Sequence, residues 1–105
     1  MMPIEIIEHN YKGFEGSFLG QLHEAGSFDL QAFEVLCEAV RVLGGADKEN
    51  RQLASMLIFI LTQTLLHLMY HFDPQDLSSI NDLPENYSDY VARLEQVVMM
   101  YFASK

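Results

Sequence analysis

The stretch Gln52–Phe72, QLASMLIFILTQTLLHLMYHF, runs for 21 residues without a formal charge, and its reading decides the fold. An apolar helix of that length reaches across a bilayer. Yet Gln63, Thr64, His67, Tyr70 and His71 crowd its second half, and Arg51 and Asp73 flank it closely. Such a mixture predicts the core helix of a soluble bundle rather than a membrane span. From Met56 to Leu61 the segment is apolar almost all round, so other helices are expected to surround it.

Downstream, Asp73-Pro74 ends this helix, because the residue before a proline is pushed out of helical geometry. Upstream, Asp47 is the expected N-cap, which places the helix at about 48–72. The helix before it ends at Gly44-Gly45. Its buried stripe is Phe33, Leu36, Cys37, Val40 and Leu43, with Glu34, Glu38 and Arg41 outside and Ser27 or Asp29 as cap. On the other side of the central segment, a polar connection leads to a last helix beginning between Pro84 and Ser88. The stripe Tyr87, Tyr90, Val91, Leu94, Val97, Val98, Tyr101 and Phe102 is wide enough to pack on the central helix and on a second chain.

At the N-terminus, Ile4, Ile7, Tyr11, Phe14, Phe18 and Leu22 keep a helical period, but Gly13 and Gly16 interrupt it. Two short helices are therefore expected. The first is set by Pro3 in its opening turn and stopped by Gly13; the second is capped by Ser17, spans Phe18 to Ala25 and closes at Gly26. An edge strand over residues 4–11 is the alternative for the run IEII. The chain thus reads as all-α: one domain over 1–105, a small bundle of four to five helices around a long apolar central helix.

Half of the residues are apolar and the net charge is -9, with six basic against fifteen acidic side chains. That balance argues against nucleic acid and anionic membranes, whose affinity depends on Lys and Arg, and favours a basic partner. Cys37 is the only cysteine, so an intrachain disulfide is impossible. Glu5 and Glu8 stand where a signal peptide would carry basic residues, and the expectation is a cytoplasmic protein.

No motif supplies a catalytic set. In Gly13-Phe14-Glu15-Gly16-Ser17 no Lys follows the glycine and Glu15 would repel phosphate, so a Walker loop does not fit. Gly16-Ser17-Phe18-Leu19-Gly20 misses the Gly-x-Ser-x-Gly spacing of a nucleophile elbow, and Ser17 reads as a cap. Cys37 lies on an apolar stripe and reads as core. His67 and His71 share a helix face and are the weak metal candidates, but no complete ligand set accompanies them, and no cofactor is expected.

The segment Asp73–Asp89, DPQDLSSINDLPENYSD, holds Asp73, Asp76, Asp82, Glu85 and Asp89 without a single basic residue. Tyr87 and Tyr90 stand beside these acids, which is the mixture that binds basic proteins: aromatic anchors within a negative rim. Asp76, Asp82, Glu85, Tyr87 and Asp89 are the candidate partner contacts, with Phe14 and Glu15 as a second patch.

The opening segment Asn10–Gly20, NYKGFEGSFLG, followed by Gly26-Ser27-Phe28-Asp29, resembles the start of a family of bacterial immunity proteins from contact-dependent and polymorphic toxin systems. The resemblance implies a small, acidic, non-enzymatic cytoplasmic protein that binds and blocks a cognate toxin domain, frequently a nuclease. The alternative expectation is a helical adaptor or homodimer built on the last helix. A metal protein using His67 and His71 is the weaker one.

Overall fold

In the computed structural model, which describes residues 2–44, 50–75 and 79–103, Pro3 starts helix α1 (Pro3–Lys12). The Glu5 carboxylate accepts the Met2 N–H at 3.2 Å, and Gly13 stops the helix in the left-handed region at φ 68°. Residues 4–11 are therefore helix, and the edge-strand alternative falls.

The bend that follows is held by a relay: the Gly20 N–H donates to Ser17 Oγ at 3.0 Å, and that hydroxyl donates to the Phe14 carbonyl at 2.7 Å. Ser17 is a cap whose proton is already engaged. Gly20 is needed for space rather than for φ, since a Cβ there would lie 2.1 Å from the Phe14 oxygen. Gly20→Ala should cost about 1–3 kcal/mol as an overpacked backbone contact, read as a lower urea midpoint with unchanged helix content. A variant as stable as the wild type would refute the close approach.

Helix α2 (Phe18–Gly20) runs into a wider π-helical turn (Gln21–Ala25), so the expected helix to Ala25 is present with its second half expanded. Gly26, at φ 60°, turns its N–H back to the Gln21 carbonyl. Asp29 caps α3 (Leu30–Leu43) through the Ala32 N–H at 3.0 Å. Ser27, the other candidate cap, is engaged elsewhere. The cap of α4 (Arg51–Phe72) is Asn50, which accepts the Leu53 N–H at 3.0 Å. The helix thus starts at Arg51 instead of about 48; the expected cap Asp47, like Gly45, lies outside the described residues. Helix α5 (Tyr87–Ala103) begins where the sequence places it.

Helices α1 and α5 each pack on both α3 and α4, so α3 and α4 lie diagonally across the bundle. Ile7, Phe18, Phe33, Leu36, Leu57, Leu94 and Tyr101 are closed off from solvent between them. Phe18, Phe28 and Phe33 form a ring cluster, with Tyr90 of α5 edge-on to Phe33 at 5.3 Å. Cys37 sits in this core as expected, and burial pushes its thiol up to about 11, so it stays protonated.

The long apolar helix is the spine of the bundle, but it is not surrounded. Leu53, Met56, Leu57, Ile60, Thr64 and Leu68 face the core, whereas Ile58, Phe59, Leu65, Met69 and Phe72 are exposed. In a ring of packed helices each one keeps an outer side; here Tyr11 of α1 reaches Phe59 and Tyr87 of α5 reaches Phe72, yet both phenylalanines stay exposed. Phe102 likewise leaves the stripe predicted for α5 and is exposed.

Candidate partner-binding surface

The acidic segment between α4 and α5 is partly stitched to the bundle. The Ile80 N–H donates to His71 Nδ1 at 2.9 Å, and the Asn81 N–H to the Gly26 carbonyl at 2.7 Å. Asp82 Oδ1 accepts the Phe28 N–H at 2.6 Å and Oδ2 accepts the Ser27 hydroxyl at 2.9 Å. Asp82, expected as a partner contact, is thus occupied in holding the loop onto the turn before α3. Asp76 lies outside the described residues.

The Phe28 N–H first, and the Ser27 hydroxyl beside it, hold the Asp82 carboxyl below the usual carboxylate value. A group with a depressed folded-state value stabilises the fold above its unfolded value and loses that contribution as pH falls through the folded one. Asp82→Asn should therefore cost about 1 kcal/mol near neutral pH, where the charged acceptor matters. The gap between variant and wild type should close as pH drops through and below the ordinary aspartate range. Urea midpoints at neutral and acid pH check this; a gap independent of pH would remove the carboxylate from the account.

Glu85 and Asp89 are exposed, the latter in the first turn of α5, where the helix dipole favours an acid. Tyr87, between them, is half-buried, and its ring lies 5.3 Å from Phe72 at the end of α4. Phe72 is itself 55% exposed. The acidic segment and the open side of α4 therefore meet at one aromatic pair, with Asp73 next to Phe72 and Glu85 and Asp89 next to Tyr87.

Phe14 and Glu15 are exposed at the bend after α1. The Phe14 ring lies 4.8 Å from the His9 ring, with Lys12 Nζ 5.8 Å from its centroid. Glu15 lines a groove of about 430 Å³ with His9, Asp29 and Gln31. Asp29 follows the Ser27-Phe28 pair that holds Asp82, so both expected patches flank the short segment 27–29.

The metal candidates part company. His71 Nδ1 is taken by the Ile80 N–H, while His67 faces His23 of the π-helical turn, ring centroids 5.7 Å apart. Burial first, and the neighbouring His23 second, lower the His67 basicity. Among the described residues no three His, Cys, Asp or Glu side chains converge to hold a metal ion. His67 and His71 share α4, and each also meets a residue from elsewhere in the chain: His23 beside the His67 ring and the Ile80 amide on His71.

Sequence reasoning missed the outer side of α4. Ile58 and Phe72 are each 55% exposed and Met69 is 65% exposed. An uncharged helix reads as fully buried whether its own chain or a partner covers it. No family model, no curated protein and no solved structure matches the chain.

Proposed function

We propose that this all-α chain is an immunity protein, a non-enzymatic module that binds a basic toxin domain and neutralises it by stoichiometric complex formation. The observation that carries this reading is the contact of exposed Phe72 with half-buried Tyr87, with the exposed acids Asp73, Glu85 and Asp89 within two residues of the pair in sequence. An aromatic anchor supplies desolvated contact, and the acids around it steer and orient a basic partner. The net charge of -9 adds long-range attraction to the same kind of surface. The family resemblance over Asn10–Gly20 supports the same conclusion, and Phe14 and Glu15 form the secondary contact.

The test is co-expression with the toxin domain encoded beside it, followed by a binding measurement on the purified pair. Protection and a one-to-one complex are expected. Tyr87→Ala combined with Glu85→Lys and Asp89→Lys should weaken binding about a hundredfold and flatten its salt dependence, while circular dichroism stays unchanged. Failure of the wild type to form a complex would sink the proposal.

A further inference from the structure

The outer side of α4 carries a second pattern. Arg51, Ser55, Ile58, Thr62, Leu65, Met69 and Phe72 follow one another in alternating steps of four and three, and every one of them is exposed. Alternate steps of three and four are the seam of a coiled coil, the arrangement that keeps one stripe facing a partner helix. The seam runs the length of α4, about 33 Å at 1.5 Å per residue. Amphipathic surface helices place charge on their outer side; here Gln52–Phe72 contains none, so a partner helix can seat without burying an unpaired ion.

Charge at the two ends selects the occupant. Arg51 opens the seam and Asp73 follows its last residue, so one end is positive and the other negative. Neither forms an ion pair among the described residues. Parallel packing of two copies would set Arg51 against Arg51 and Asp73 against Asp73. Antiparallel packing about a twofold axis at Thr62 sets Arg51 of each copy against Asp73 of the other, because 51 and 73 are equidistant from 62. We infer that the occupant is a second copy of this chain: a twofold dimer with antiparallel α4 helices, Thr62 at the axis and an Arg51–Asp73 ion pair at each end.

The dimer seam ends on Phe72 and Asp73, which the toxin reading also uses, so it is tested on the chain alone, without toxin. Sedimentation equilibrium of the full chain at micromolar concentrations should give twice the chain mass. Ile58→Glu and Leu65→Glu, exposed in the single chain and so compatible with its fold, should each give the single mass with helix content retained. Arg51→Glu alone and Asp73→Arg alone should each weaken association about tenfold, and the double variant should recover it, since the reversed charges pair again. A wild-type chain that remains single at every concentration overturns the inference. So does a dimer indifferent to the glutamates or not rescued by the charge swap. A single chain that sediments with zwitterionic vesicles would assign the seam to lipid, and one that pairs through it only with toxin would assign it to the partner; both outcomes overturn the second-copy assignment.

Discussion

Phe33→Ala should destabilise the domain by about 3–5 kcal/mol, a large part of the roughly 5–15 kcal/mol that holds a domain together. Phe33 is fully buried, and its ring touches three separate parts of the chain. Phe18 of α2 lies edge-on at 5.2 Å, Phe28 before α3 stacks at 5.8 Å, and Tyr90 of α5 lies edge-on at 5.3 Å. Arg93, which also pairs with Glu34, places its guanidinium carbon 5.7 Å from the same ring. Truncation removes the transfer free energy of a phenyl group and opens a cavity that three elements must collapse together to fill. Val35→Ala two residues on, at a position 46% exposed, should change stability by no more than about 0.5 kcal/mol. Urea denaturation of both variants checks the contrast. Equal losses would mean that the aromatic cluster does not close the core.

The parts of the fold that sequence reveals are those governed by local chemistry. Pro3 and Gly13, Ser17 and Gly26, and Asp29 and Gly44 mark helix ends because caps and left-handed glycines act within a few residues. The start of α4 was less legible: Asp47 and Asn50 are chemically similar caps, and only the packed structure selects Asn50. Burial of α4 was misread for a different reason. Lack of charge says that a surface avoids water, but not whether the cover comes from the same chain. The site was legible as composition and illegible as geometry. Asp82 looks like its acidic neighbours until the fold brings Ser27 and Phe28, more than fifty residues away, within hydrogen-bond reach. Tyr87 has its ring neighbour in Phe72, which belongs to another helix. A four-residue spacing put His67 with His71, yet the π-helical turn that brings His23 to His67 leaves no signal in the spacing.

Asn10→Ala should cost about 2–4 kcal/mol, and it bears on the candidate surface as well as on stability. Asn10 is one of two buried polar residues among those described, and both ends of its amide are satisfied. Nδ2 donates to the Ile6 carbonyl at 2.9 Å within α1. Oδ1 accepts the Leu19 N–H at 3.0 Å, tying the last turn of α1 to the first turn of α2 across nine residues. Alanine would leave the Leu19 N–H buried without a partner, the expensive half of a lost hydrogen bond, and would add a small cavity. Asn10→Asp separates the two functions: the acceptor for Leu19 remains, the donor to Ile6 is lost, and a carboxylate is introduced at a site 2% exposed. Its stability should therefore improve on acidification, as the carboxyl takes up a proton and can donate again, whereas Asn10→Ala should show no such gain. Because this bond fixes the bend that presents Phe14 and Glu15, Asn10→Ala should also speed amide exchange at Phe14–Leu19 by more than its global destabilisation explains. Exchange accelerated only in proportion to global unfolding would show that the Gly20–Ser17–Phe14 relay, without Asn10, is sufficient to hold the bend.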